Sequence, residues 1–405
     1  MQKRELQKIV NPIFTTAKGT VMLLARMGDK DALSLIPHIE VDEEGVRHEV
    51  PEDIQKCFMI AQMARYEIHN SAALASGATN IIDLPSGYAP RGFRVSAAGK
   101  RYFGFDLPIV IDTMRPVAEK TMTSAQSALT SYCAVDATNY KSMREALGDI
   151  DGDICIVTEG MLGYFNESEL ISFCQAIRKL LKEFGGTWIT ADMTGLQLYP
   201  LTFEAVLDGD KEMMDAVARN LAARMADVEF YKNSLYLNGI EGAIEFLNNQ
   251  RLTVKRESAT IYMKDIPGID PVMMQKLRNA YEKIEVFTMT PDAENNKEEM
   301  LSDDKDKLPF GVNSKYIDGV LHVKIQGRLD TITAPELLEE FKKTEGKVDA
   351  VKMDVSDITF ISGAGLRVLQ IMCESLEDKS MFELTGVKPL IKDILESVGF
   401  DRFRE

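Results

Sequence analysis

The sequence predicts an α/β protein of two domains: a large body with a mostly parallel sheet and helices on both faces, and a small α/β domain at the C-terminal end. Three observations carry this. Through residues 1–290, short β-branched runs alternate with helix-length amphipathic stretches, the pattern of βαβ units. Pro291–Pro309 (PDAENNKEEMLSDDKDKLP) then interrupts the alternation with charge and almost no apolar side chains. Such a stretch cannot bury enough apolar surface to offset its ordering entropy and reads as a solvated linker, with an exposed polar helix as the alternative. Beyond it, strand and helix patterns resume over a piece of domain size. The expected boundaries are 1–290 for the body, 291–310 for the linker and 311–405 for the small domain.

In the body, Asn80–Leu84 (NIIDL), Tyr102–Phe105 (YFGF), Asp153–Thr158 (DICIVT) and Thr187–Ala191 (TWITA) read as strands, each ending near turn-forming or acidic residues. Glu169–Glu183 keeps its apolar positions Leu170, Ile171, Phe173, Cys174, Ile177, Leu180 and Leu181 at a helical period. Residues 196–250 read as a helical insertion placed to cover a substrate, and Leu252–Ser258 and Lys283–Thr288 as closing strands. Met213, Met214, Met225, Phe230, Tyr231 and Tyr236 of the insertion could line an apolar acceptor pocket, but their helical spacing reads as core. In the small domain, Val320–Gln326 alternates as a strand, Ala334–Lys343 is an amphipathic helix with Pro335 in its first turn, Val348–Val355 is a second strand, and Leu366–Leu376 is helical.

Composition narrows the functions. With 47 basic against 63 acidic residues the net charge is −16, without the basic footprint that nucleic acid or an anionic membrane requires. No apolar run approaches the ~18 residues of a membrane span. The start, MQKRELQKIVNPIF, never develops a signal-peptide core, so a cytoplasmic location is expected. Five scattered cysteines without a CxxC pair read as reduced thiols, and four isolated histidines give no metal-ligand pattern.

A parallel sheet binds ligands in the crevice at the carboxyl ends of its strands. Asn80–Arg94 (NIIDLPSGYAPRGFR) runs from a strand into a turn at Gly87, where backbone can approach a ligand closely. The next strand ends at Asp106, nineteen residues later, where an acidic side chain can accept from both hydroxyls of a ribose. The other reading of Asp106 is an N-cap for a helix begun by Pro108.

The DLPSGYxxR turn, Asp106-Leu107-Pro108 after YFGF, Val135-Asp136-Ala137 and TEGMLGYF at Thr158–Phe165 resemble, in order and spacing, the leucine carboxyl methyltransferase family. Ala64-Arg65 and Thr15–Arg26 sit where that family has its N-terminal helices, so the resemblance covers roughly residues 11–200. It implies a Rossmann-like domain binding S-adenosylmethionine (SAM) and transferring its methyl group to an oxygen of a small-molecule or peptide acceptor. Arg65, and secondarily Lys18, would hold the methionine carboxylate, with Gly87 at the methionine portion and Asp106 with Leu107 at the ribose. Asp136 and Ala137 would meet the adenine, Glu159 would face the ammonium and sulfonium charges, and Tyr164 would line the pocket. A carboxylate acceptor is already ionised, so the resemblance implies no catalytic acid or base. The turn departs from the family at Pro85, Ala89 and Pro90, where a glycine, an acidic residue and a threonine are usual, while Gly87 and Arg91 remain. Pro85 removes a backbone donor, which leaves open a SAM-binding regulator that no longer transfers methyl.

Gly327-Arg328-Leu329-Asp330, Asp354-x-Ser356 and FISGAGLRVL in the small domain resemble the STAS domain of anti-sigma-factor antagonists. That resemblance implies a protein partner of the kinase or anti-sigma type, is compatible with a homodimer, and raises a phosphoserine switch. Gly363 stands at the usual acceptor position; Ser362, one residue earlier, is the candidate phosphosite, with a helix N-cap as the other reading.

Overall fold

The alternation of apolar strands and amphipathic helices builds a seven-stranded and a five-stranded sheet in the computed structural model, which describes residues 3–10, 14–39, 51–195, 197–208, 210, 212, 215, 233–292, 308–397 and 403–404. Two units result: Ile13–Asp292, and Met1–Pro12 together with Ala293–Glu405. Helix α1 (Lys3–Val10) thus belongs with the C-terminal residues, whereas the boundary read from the sequence grouped it with the body. Residues 293–307 of the expected linker, and Met213, Met214, Met225, Phe230 and Tyr231 of the insertion, lie outside the described residues.

The body opens with α2 (Phe14–Arg26), α3 (Lys30–Leu35) and the long α4 (Glu52–Ala75). Strands β1 (Asn80–Asp83), β2 (Arg101–Asp106), β3 (Thr130–Ala134), β4 (Ile154–Thr158) and β5 (Gly186–Thr190) pair in parallel. Strands β6 (Leu252–Ser258) and β7 (Glu285–Pro291) close the sheet antiparallel, in the order β3-β2-β1-β4-β5-β7-β6. Between them run α5 (Arg91–Ala97), α6 (Pro108–Thr121), α7 (Tyr140–Leu147), α8 (Glu167–Phe184), α9 (Leu198–Val206), α10 (Gly239–Asn249) and α11 (Pro271–Tyr281).

Successive side chains of a strand point to opposite faces. Ile81, Tyr102, Cys155, Val157 and Ile189 enter one core with residues of α2, α4, α5, α6 and α11. Their neighbours Ile82, Phe103, Ile154, Ile156 and Trp188 enter a second core with α7, α8 and α10. Both faces are therefore covered, and for this reason β4 (ICIVT) is buried along its whole length. Helix α8 starts where Asn166 and Glu169 form a reciprocal capping box and stops at Gly185, whose φ of 75° most side chains avoid. Strand order reverses between β1 and β4, so the crevice expected of such a sheet opens beyond the ends of these two strands.

In the other unit, β8 (Gly311–Ile317) and β9 (Val320–Leu329) form a hairpin through Asp318-Gly319, both at positive φ. Strands β10 (Ala350–Ile361), β11 (Phe382–Thr385) and β12 (Phe403–Arg404) extend it in parallel. Helices α12 (Ala334–Lys342), α13 (Gly363–Glu374) and α14 (Pro389–Ser397) complete the alternation. Helix α1 packs on α12 and α13, with Leu6 and Val10 in the same apolar core as Leu337, Leu338, Val368 and Leu369. Ser362 is the N-cap of α13: its Oγ accepts the Gly365 N–H at 3.2 Å, and the residue is 2% exposed.

Candidate functional site

Strand register sets the site. Asp83 at the end of β1 pairs with Gly104 of β2 and Val157 of β4, and Asp106 at the end of β2 pairs with Ala134 of β3. The turn at 84–87, Asp106-Leu107, Asp136-Ala137 and Glu159 therefore all follow the carboxyl ends of four adjacent strands.

The turn and Asp106 are joined directly. The Gly87 N–H donates to Asp106 Oδ2 at 2.7 Å, and the Leu107 N–H donates to Oδ1 at 2.7 Å. Each oxygen keeps a second lone pair for a hydroxyl. Burial pushes the Asp106 carboxyl up, to about 7, against the two backbone donors that favour its ionised form. Gly87 sits at φ 53°, and a Cβ there would lie 3.5 Å from Ala17 of α2, so α2 covers the turn. Lys18, next on α2, is buried. The Leu84–Pro85 peptide is cis.

Beside the turn lies a buried ionic network that sequence reading did not assemble. Arg91, at the start of α5 and 1% exposed, donates from Nε to Asn70 Oδ1 at 2.7 Å and from Nη2 to Glu159 Oε2 at 2.5 Å, and its Nη1 pairs with Asp83. Tyr102 adds its hydroxyl to Asp83 Oδ2 at 2.8 Å. Arg65 of α4 lies between two carboxylates, 3.3 Å from Glu159 and 3.6 Å from Asp192. Asp192 in turn accepts the backbone N–H groups of Gly160 and Met161, which fixes the turn after β4. Gly160 has φ 73°, and a Cβ there would meet Arg65 Nη2 at 2.5 Å.

His69 is neutral in this network. Its Nε2 accepts the Ala191 N–H at 3.2 Å and its Nδ1 lies 2.8 Å from the Arg65 carbonyl, so the ring proton sits on Nδ1; burial pushes its pKa down. Burial alone would raise Glu159, but the facing groups His69, Arg65 and Arg91 hold it well below the usual carboxylate range. With His69 neutral, the two guanidiniums carry that effect. Burial raises Asp83, opposed by Arg91 and the Tyr102 hydroxyl. The carboxyl groups of Asp83, Asp106, Glu159 and Asp192 are thus gathered with the guanidiniums of Arg65 and Arg91 at the carboxyl ends of the strands.

Of the residues expected from sequence, the structure joins Gly87, Asp106 and Leu107 in one cluster and Arg65 and Glu159 in another. Asp136 is buried past β3, where its Oδ1 accepts the Thr138 N–H at 2.9 Å and hydroxyl at 2.7 Å, an Asx turn that fixes the loop carrying Ala137. Tyr164 is half-buried in the turn after Glu159. Tyr236, placed with the plain core residues by its spacing, has its hydroxyl pushed up by burial and further by Asp192, with Arg65 opposing, which sets it beside this network. One buried polar atom of the β1 turn bears on a ligand: Ser86 Oγ has no hydrogen-bond partner. An unsatisfied hydroxyl in a helix-covered turn, a glycine in the same turn and an acidic residue bridged to it fit a nucleoside carrying an amino-acid chain, such as SAM.

Residues 312–404 match the family model described as the STAS domain, which bears out the resemblance read from the tail. A solved anti-sigma factor antagonist from Mycobacterium paratuberculosis is 26% identical over 24% of this chain and 81% of its own, with a TM-score of 0.21. An O-methyltransferase family protein from Burkholderia thailandensis is 12% identical over 69% of this chain and 73% of its own, with a TM-score of 0.35. A magnesium protoporphyrin IX methyltransferase from Synechocystis, solved with bound SAH, is 7% identical over 62% of this chain and 92% of its own, with a TM-score of 0.35. No curated protein matches the chain. Among the described residues, no helix is long and apolar enough to cross a membrane.

Proposed function

We propose that the body is a SAM-dependent O-methyltransferase of the leucine carboxyl methyltransferase type, acting on a small-molecule or peptide carboxylate, with the STAS domain as its interaction module. The observation that carries this is the Gly87–Asp106 bridge: a close-approach turn after β1 holds, through one backbone N–H, the carboxylate that ends β2. Asp106 would take the ribose hydroxyls, its orientation already set by two N–H donors. Arg65 would hold the methionine carboxylate, and Ser86 Oγ would turn its unused hydrogen toward the same end. Glu159, kept ionised, would stabilise the ammonium and sulfonium charges. Asp136 and Ala137 would flank the adenine, with Tyr164 and Lys18 completing the walls.

When bound, SAM supplies an electrophilic methyl group. The chain's own contribution is then to position the acceptor and keep water away from it, since a carboxylate acceptor needs no proton removed. No general base is assigned. A second reading, a SAM-responsive regulator without transfer, is favoured by the fact that both Glu159 oxygens are already engaged, Oε1 near Arg65 and Gln62 and Oε2 by Arg91.

Calorimetric titration with SAM and S-adenosylhomocysteine, on the wild type and Asp106→Ala, tests the cofactor site. Binding that the variant loses is the expected outcome; no heat at millimolar cofactor would overturn both readings. Transfer of labelled methyl to carboxylate acceptors then separates the enzyme from the regulator.

A further inference from the structure

Helix α4 carries Phe58, Gln62, Arg65 and His69 at intervals of four, three and four residues, so the four side chains share one face. His69 and Arg65 fasten that face to Ala191 and Asp192, just after β5. Gln62 makes a third tie, to Tyr199 in the first turn of α9, a residue with no part in the cofactor contacts assigned to the site. The Tyr199 hydroxyl donates to Gln62 Oε1 at 2.9 Å, and Gln62 Nε2 reaches Glu159 Oε1 at 3.4 Å. All of these residues belong to the unit Ile13–Asp292.

The order of donors in this chain is forced. Glu159, held ionised, can only accept, so the Gln62 amide must turn its N–H toward Glu159 and its carbonyl toward Tyr199. Gln62 is 5% exposed, so water is a poor substitute for either partner. The Tyr199 oxygen, its hydrogen spent, lies beside Arg65: burial alone would lower that guanidinium, but Glu159, then Tyr199 and Asp192, hold it above its ordinary value. Both contacts to Glu159 Oε1, from Arg65 at 3.3 Å and from Gln62 at 3.4 Å, are thus backed by one hydroxyl. The ring that carries it is fixed separately. It is half-buried, its centroid 5.9 Å from that of Phe58, which packs edge-on to Phe203 at 5.1 Å. Hydroxyl and ring can therefore be perturbed apart.

We propose that Tyr199 is a positioning residue for the amino-acid end of the cofactor, a role that rests on the SAM reading of the site. Its hydroxyl sets Gln62 and Arg65 against Glu159, and so favours a nucleoside that carries an amino-acid chain over one that lacks it. The adenosine end falls to the Gly87–Asp106 cluster, which is held by its own backbone donors. Linkage runs both ways, so a bound amino-acid chain in turn steadies α9 through the same hydroxyl.

The test compares S-adenosylhomocysteine with 5′-methylthioadenosine, which keeps the nucleoside and the sulfur but lacks the amino-acid chain. Both are titrated by calorimetry into the full-length chain as wild type, Tyr199→Phe and the control Phe58→Leu. Tyr199→Phe should lose about tenfold in affinity for S-adenosylhomocysteine, the worth of one hydrogen bond to a charged group, and less than about twofold for methylthioadenosine. Phe58→Leu, which disturbs the packing of the ring but keeps the hydroxyl, should melt earlier and keep the wild-type ratio of the two affinities. In a Gln62→Leu background, Tyr199→Phe should cost less than it does alone, because a group it acts through is gone. At saturating S-adenosylhomocysteine, amide exchange across 198–206 should slow several-fold in the wild type and not in Tyr199→Phe. An equal loss for both ligands, an unchanged affinity for S-adenosylhomocysteine, or a ratio moved as far by Phe58→Leu overturns the positioning role. Exchange that responds alike in the two chains overturns the link to α9. A wild type that binds neither ligand overturns the cofactor reading itself, a result distinct from all of these.

Discussion

Replacing Arg91 by methionine keeps most of the side-chain volume and removes the charge at the centre of the buried network. Asp83, fully buried, and Glu159, 9% exposed at its side chain, would then face each other across the gap without the guanidinium that touches both. Removing one member of a buried ion pair costs about 3–5 kcal/mol, because the remaining charge is left uncompensated. With two carboxylates and the Asn70 amide losing their partner, the upper part of that range applies. At roughly 2–4 °C per kcal/mol for a domain of this size, the melting temperature of the body should fall by roughly 8–20 °C. The assay is thermal and urea unfolding by circular dichroism near pH 7. The variant should also gain a pH slope. Burial already raises the Asp83 carboxyl, and without Arg91 nothing as strong opposes it. The folded variant therefore keeps a proton that the unfolded chain gives up near about 3.9. Its stability should decline as pH rises from there through neutrality. Adding Asp83→Asn should recover part of the loss, a non-additivity of at least about 1 kcal/mol. A loss under about 1 kcal/mol with no pH slope would refute the reasoning, since that is what a solvent-screened pair delivers.

Four further outcomes follow from other sites. Because the folded Asp106 carboxyl is raised to about 7, SAM affinity should climb as pH is raised through that value, and Asp106→Asn should be weak and flat; titration calorimetry between pH 6 and pH 8 reads both. The same raised value means that Asp106 contributes less stability as pH rises from the unfolded carboxyl range toward 7, a slope that Asp106→Asn should remove from pH-dependent melting curves. Gly160→Ala should lose roughly 1–2 kcal/mol in urea unfolding from its left-handed backbone alone, and should weaken cofactor binding further because the new methyl pushes on Arg65. Ser362→Ala should destabilise the STAS unit by about 1 kcal/mol through loss of the α13 cap, and intact-mass analysis after kinase treatment should find Ser362, buried as it is, unmodified in the folded protein.

What the sequence revealed followed local physics. NIIDL, DICIVT and TWITA are continuous apolar runs and became β1, β4 and β5 within a residue or so at each end, because burial on both faces leaves little else they could be. Strand β3 (TSYCA) was missed: it is an edge strand, half-exposed over much of its length, and its polar residues hide the pattern. Strand β8 is mostly exposed and has no apolar alternation of its own; its trace in the sequence is the Asp318-Gly319 hairpin turn that joins it to β9. In the site, the spacing of Gly87 and Asp106 foretold a real contact, because adjacent parallel strands bring their ends together. The charges Asp83, Arg91 and Asp192 were not assembled, since what pairs them is burial contributed by remote helices. Their trace in the sequence was an acidic residue closing β1 and another just after β5. The helical character of α1 is local; its partners are not, and no periodicity could assign it to the C-terminal unit.

That last feature has a consequence for synthesis. Helix α1 leaves the ribosome ahead of the body, yet α12, the nearer of the helices it packs on, is made about 320 residues later, which at 5–20 residues per second is roughly 16–65 s. During that interval the entire body can be translated and folded while Leu6 and Val10 remain without their neighbours. The newborn segment must therefore be tolerated in water or held by a chaperone. A stalled or truncated transcript would yield a folded body whose leading helix has nowhere to go.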